Sequence, residues 1–284
     1  MTERKFGQII LYGVLAVTLF AALYLVSFCV RADGTERREV QIVTFGDSVM
    51  GEIRDETAVP EQLQALLGKT VYNAALGGTC AARVEPERRL DYTKDSLSLV
   101  GLAKSVEADD FGVQQSIIMR ENSTEYFAEV VDGLDTIDFS KVETVLIQQG
   151  VNDYHAGVPI ENPDDPYDEY TFLGALRTAV RSLRRVNPSV RILVITPTYT
   201  WYPRKELTCE EADYGGGVLE AYVNAELKLA EELGLEVVDV YHDFFPHEKW
   251  QDWELYTRDG LHPNEAGREK LALKIGEYMA AEPE

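Results

Sequence analysis

Val40-Gln41-Ile42-Val43-Thr44-Phe45-Gly46-Asp47-Ser48 is an apolar run of strand length that breaks at a glycine and ends on an acid and a hydroxyl. Val, Ile and Phe suit a pleated, buried strand. The following Gly-Asp-Ser suits a turn into a helix, whose first N–H groups have no intrahelical partner. The same alternation recurs downstream. Thr70–Asn73, Thr144–Gln149, Arg191–Thr196 and Glu236–Val240 read as further strands. Val59–Leu67, Tyr170–Val186, Leu219–Leu233 and Glu265–Met279 repeat apolar residues at helical spacing, with Gly234 ending one helix and Pro263-Asn264 opening another. Strands alternating with helices predict a parallel sheet with both faces covered. With right-handed crossovers, that is a three-layer α/β/α sandwich.

In such sheets ligands bind beyond the carboxyl ends of the strands. Ser48 follows the first strand, Gly78 the second and Asn152 the third, while Asp259-Gly260-Leu261-His262 enters the last helix. The fold therefore gathers a hydroxyl, an imidazole, a carboxylate and two candidate oxyanion donors at one edge. A serine at a strand-to-helix turn can attack a carbonyl carbon while N–H groups hold the resulting oxyanion. A histidine within about 2.6–3.2 Å serves as its base, and a carboxylate on the other ring nitrogen fixes the tautomer. Each residue also has an ordinary reading. Ser48 suits a helix cap, Asn152-Asp153 an Asx turn, and Asp259-Gly260 a loop turn.

Four blocks carry a more specific signal: Gly46-Asp47-Ser48, Asn73-Ala74-Ala75-Leu76-Gly77-Gly78, Gly150-Val151-Asn152-Asp153 and Asp259-Gly260-Leu261-His262. Together they resemble the SGNH, or GDSL-type, hydrolases. The resemblance runs from Val40 to Ala272, with an unmatched stretch from Ala81 to Lys141. It implies a flavodoxin-like strand order 2-1-3-4-5 and a catalytic set of Ser48, His262 and Asp259. It also implies an oxyanion hole formed by Ser48, Gly78 and Asn152. Leu76-Gly77-Gly78 departs from the usual small residue before the glycine, so Gly77 and Gly78 both stand as donors. Asn73, Asp47 and Asp153 read as scaffolding.

The chain of 284 residues has room for one large α/β domain, which we place at 40–284. Residues 81–142 are too long for one crossover. They read as a helical insertion, either capping the site or lying solvated on the surface. The run 9–30 carries no charge and is long enough to span a bilayer as a helix of about 1.5 Å rise per residue. With no small-residue cleavage site after it, the run is expected to be an uncleaved signal anchor between a tail, 1–8, and a linker, 31–39. The catalytic domain is expected outside the cytoplasm, although the charge count is nearly balanced and slightly adverse, with Arg31, Arg37 and Arg38 after the span against Arg4 and Lys5 before it.

The formal net charge of −22 repels nucleic acid. Of the three cysteines, Cys29 lies in the apolar run, leaving Cys80 and Cys209 as a disulfide or as two buried thiols. No Cys/His spacing or His-Glu-Xaa-Xaa-His points to a metal, and the chemistry requires no cofactor.

Tyr199, Trp201 and Tyr202 follow the fourth strand, and His155 follows the third. They read as substrate-binding residues suited to the face of a sugar ring or an acyl chain, or else as packing. The reading is a serine esterase acting on an O-acyl ester, with a neutral O-acetylated envelope or dietary carbohydrate as the expected substrate. The alternatives are a glycan acyltransferase, a lipase or lysophospholipase, and a non-catalytic glycan-binding protein of the same fold.

Overall fold

The computed structural model describes residues 37–84, 95–116 and 127–281. The chain divides into two units, Met1–Arg38 and Glu39–Glu284. Of the first, only residues 37 and 38 are described. The apolar run 9–30 thus lies outside the described residues. Among those described, no helix is long and apolar enough to cross a membrane.

The second unit opens with β1 (Ile42–Gly46), α1 (Ser48–Gly51), α2 (Val59–Leu67) and β2 (Val71–Asn73). Next come α3 (Leu99–Ala108), α4 (Gly112–Gln115), α5 (Phe127–Asp135), β3 (Thr144–Gln148), α6 (Val151–His155) and α7 (Phe172–Val186). β4 (Arg191–Ile195) leads into a hairpin of β5 (Trp201–Tyr202) and β6 (Leu207–Thr208). The chain then runs through α8 (Leu219–Leu233), β7 (Glu236–Val238), α9 (Trp253–Tyr256) and α10 (Glu265–Ala280).

Five strands form a parallel sheet in the order β2-β1-β3-β4-β7, the order implied by the resemblance. The connection from β1 to β2 runs one way along the sheet, and the later connections to β3, β4 and β7 run the other. Right-handed crossovers therefore put α2 on one face and the connections leading to β3, β4 and β7 on the other. Packing follows this division: α10 lies against α2, and α3 against α7. Register positions the site, because Gly46 pairs with Gln148 and Gln148 with Ile195. The loops after β1, β3 and β4 consequently begin at one level.

The described part of 81–142 is neither a cap nor a solvated insertion. Leu99, Leu102, Ala103 and Val106 of α3 recur at helical spacing and are all buried. Val130, Val131 and Leu134 of α5 join the same core, and Tyr72 Oη donates to Val130 O at 2.7 Å. These helices build a layer of the sandwich. The buried stripe of α3 packs against α7. No disulfide joins Cys80 and Cys209, both of which are buried.

Candidate active site

The cap at the start of α1 is Asp47 rather than Ser48. Asp47 has extended backbone, and its Oδ1 accepts from Val49 N at 2.9 Å. The Ser48 hydroxyl is thereby left for another partner: Ser48 Oγ lies 3.0 Å from His262 Nε2. His262 Nδ1 lies 2.8 Å from Asp259 Oδ2. The other carboxylate oxygen, Oδ1, accepts from Leu261 N at 3.1 Å and from His262 N at 2.9 Å. A neutral ring that donates from Nδ1 to Asp259 leaves its Nε2 lone pair for the serine proton, an assignment made from the hydrogen-bond network. Burial pushes the Asp259 carboxyl upward, but its bonds to the His262 ring and to the two backbone N–H groups outweigh burial and hold it below the ordinary carboxylate value.

The loop that presents His262 is held on three sides. Arg258 N donates to His262 O at 2.9 Å. Arg268 Nη1 donates to Pro263 O at 3.0 Å, and its Nη2 donates to Thr57 Oγ1 at 2.7 Å. Gly260 has φ +92, and Trp201 N donates to its carbonyl at 2.8 Å, which ties the loop to the hairpin.

The second block lies beside the serine. A Cβ added to Gly77 would stand 3.6 Å from Ser48 Cβ. The N–H groups of Gly77 and Gly78 have no acceptor among the described residues. Asn152 Nδ2 donates to Thr79 O at 3.0 Å, which occupies one amide hydrogen and leaves the second. Two side chains fasten this loop. Asn73 Nδ2 donates to Met50 O at 3.1 Å, and its Oδ1 accepts from Ala75 N at 3.1 Å. Asp153 accepts from Ala81 N at 2.8 Å and Ala82 N at 2.9 Å. Burial pushes the Asp153 carboxyl up to about 6, against the pull of those N–H groups. Burial pushes Asp47 up to about 7, against the Val49 N–H and the His262 charge, with Asp153 adding a smaller upward push.

A cleft of about 520 Å³ opens beside the Asp259–His262 loop, lined by Trp201, Tyr202, Pro203, Arg204, Lys205, Trp253, Asp259 and Leu261. Trp201 contributes to that lining but is buried, at 2% exposed. Tyr199 is not placed as expected. It is buried behind the cleft, stacked on His247 at 4.2 Å and edge-on to Trp201 at 4.8 Å, and its hydroxyl donates to Glu210 at 3.2 Å. His155 also stands behind the wall, with its Nε2 2.7 Å from Tyr202 Oη. It is packed against Tyr154, Tyr202 and Tyr214. Burial, with the charges of Lys205 and His262, pushes His155 down to about 4 and keeps it neutral. Sequence reading missed Arg204, Lys205 and Leu261 as lining residues; the available signal was the Pro203 turn directly after Trp201-Tyr202. Among the described residues, no three His, Cys, Asp or Glu side chains are grouped to hold a metal ion.

The model of the GDSL-like lipase/acylhydrolase family matches residues 43–270, the span that contains all four blocks. The chain belongs to this family. No match was found among curated proteins. Solved structures share the fold of this family member at low identity. A protein from Lactobacillus plantarum is 16% identical with a TM-score of 0.59, and the match covers 88% of this chain and 100% of that one. A protein from Chitinophaga pinensis described as a possible lipase is 17% identical with a TM-score of 0.55, over 84% of this chain and 97% of that one. Est24 from Sinorhizobium meliloti, described as a carbohydrate acetylesterase, is 15% identical with a TM-score of 0.51, over 86% of this chain and 99% of that one.

Proposed function

We propose that this GDSL-family chain is a serine esterase that removes a short acyl group, acetyl in the first instance, from a carbohydrate. The observation that carries the reading is the series Ser48 Oγ–His262 Nε2 at 3.0 Å and His262 Nδ1–Asp259 Oδ2 at 2.8 Å, at the carboxyl edge of the sheet. His262 takes the Ser48 proton as Oγ attacks the carbonyl carbon. The oxygen becomes an oxyanion, received by the N–H groups of Ser48 and the Gly77–Gly78 turn and by the remaining amide hydrogen of Asn152. His262, now an imidazolium beside the Asp259 carboxylate, returns the proton to the departing alcohol. Water then repeats the sequence on the acyl-serine, and acetate leaves.

The cleft supports a ring-shaped substrate. Trp253 and Tyr202 present aromatic surface, and Leu261 is the only aliphatic side chain other than Pro203 in the lining. A long-chain lipase calls for a broad apolar trough, so the lining favours the carbohydrate ester over a long acyl chain. The fold likeness to Est24 is compatible with this reading but says nothing of substrate at that identity.

The test is an ester panel on the full-length chain, with para-nitrophenyl esters from acetate to octanoate and O-acetylated sugars. Acetate should be the preferred acyl group, and acetylated sugar should release acetic acid. Rates that rise steadily with acyl length would transfer the reading to a lipase.

A further inference from the structure

We propose, building on the esterase reading above, that the cleft beside His262 binds a carboxylate on the alcohol portion of the ester, gripped by Arg204 and Lys205. His262 must hand its proton to the departing alcohol, so that alcohol leaves on the His262 side of Ser48. The cleft opens beside the loop that carries this histidine, since Asp259 and Leu261, which precede it, form part of the wall. The acyl group is small and bound at Ser48 throughout; the alcohol portion is what the cleft can recognise.

Two adjacent cations line this cleft in a chain with 49 acidic and 27 basic residues. Some surface cations find carboxylates, among them Lys69 with Glu143, Arg83 with Glu169, Arg177 with Glu232 and Arg191 with Glu236, while others rest on neutral groups, as Arg184 does on Leu233 O and Arg181 on the Tyr167 ring. Among the described residues, neither Arg204 nor Lys205 has such a partner. Lys205 is held by neutral groups. Its Nζ donates to Tyr214 Oη at 3.1 Å and stands 4.9 Å from the centre of the Tyr214 ring and 5.9 Å from that of Tyr202. Those contacts orient the ammonium without cancelling its charge. The one carboxylate in the lining, Asp259, is engaged with the His262 ring and two backbone N–H groups. The wall therefore carries two cations against one anion.

The overall charge of −22 pointed to a neutral substrate. That charge is spread over the whole surface and is screened beyond about 8–10 Å at ordinary ionic strength, whereas a ligand in the cleft meets Arg204 and Lys205 directly. An arginine fork matches a planar carboxylate, and a lysine supplies a point charge beside it. With Tyr202 and Trp253 as walls, the favoured ligand is a ring that bears a carboxylate.

The full-length chain is assayed on para-acetoxybenzoate and on its neutral isostere para-acetoxybenzamide, each rate divided by the uncatalysed one. The ratio of kcat/KM should favour the carboxylate by roughly tenfold, since each exposed cation contributes a few-fold. Arg204→Gln and Lys205→Gln should each lower the ratio a few-fold, the double variant should bring it to about one, and added NaCl should shrink it. In parallel, Ser48→Ala is titrated calorimetrically with para-hydroxybenzoate and para-hydroxybenzamide. If neither ester is turned over, the esterase reading falls, and the calorimetric preference alone decides the cleft. No preference for the carboxylate in binding, or a preference that survives in the double variant, overturns the inference.

Discussion

Asp47 precedes Ser48, the proposed nucleophile, with a buried carboxyl, one oxygen bonded to Val49 N–H and the other without a partner. Burial first, opposed by the Val49 bond and the His262 charge, pushes it from 3.8 to about 7. An acid raised in this way stabilises the fold while protonated. That contribution is whole below 3.8 and is lost as pH rises through about 7. Asp47→Asn keeps an oxygen for the cap and cannot ionise. Its Tm relative to the wild type should therefore climb between about pH 4 and about pH 8, measured by thermal unfolding across that range. A constant difference would show that Asp47 is not raised. Asn152 makes a different prediction. Its amide is needed mainly when charge develops, so Asn152→Ala should lower kcat by roughly 10²-fold with a smaller change in KM. A pure KM effect would reassign the residue to ground-state binding. At this scale Ser48, Asp259 and His262 were legible because their motifs are local. Tyr199 and His155 were misplaced, because position after a strand does not fix where a side chain points. Arg204 and Lys205 looked like a solvated turn, and only the fold of the hairpin brings them to the cleft.

Among the elements, α1 depends on a close approach. A Cβ on Gly51 would lie 2.7 Å from Ala75 O and 2.8 Å from Ala75 C, both backbone atoms. Gly51→Ala must push α1 away from the loop carrying Gly77 and Gly78 and so part Ser48, the proposed nucleophile, from its proposed oxyanion donors. We expect kcat to fall at least about tenfold, with about 1–3 kcal/mol lost in stability from the forced backbone shift. Unchanged kcat in a well-folded variant would show that the loop is not part of the machinery. Element limits were legible where punctuation is strong. Val59–Leu67 starts at Pro60 in its first turn and stops at Gly68, φ +64, and Leu219–Leu233 stops at Gly234, φ +60. The β5–β6 hairpin was not legible, because strands of two residues carry no periodicity. The layer helix α3 was read as an insertion because its crossover is long and acidic.

Across the whole molecule, the sandwich topology joins sites far apart in the chain: Ser48 and His262, 214 residues apart, meet because β1 and the loop before α10 end at one edge. That convergence followed from strand alternation and the rule that ligands sit at carboxyl ends. The relation of the apolar run 9–30 to a membrane stays a sequence expectation, since it lies outside the described residues. Everything in the proposed chemistry turns on Ser48 as a nucleophile activated by His262. Fluorophosphonate labelling of the full-length chain, followed by peptide mass mapping, tests it most directly. One adduct is expected on Ser48, and none on a folded Ser48→Ala variant, which should also lose aryl acetate turnover. An adduct on another residue, or wild-type turnover in Ser48→Ala, would contradict this role for Ser48.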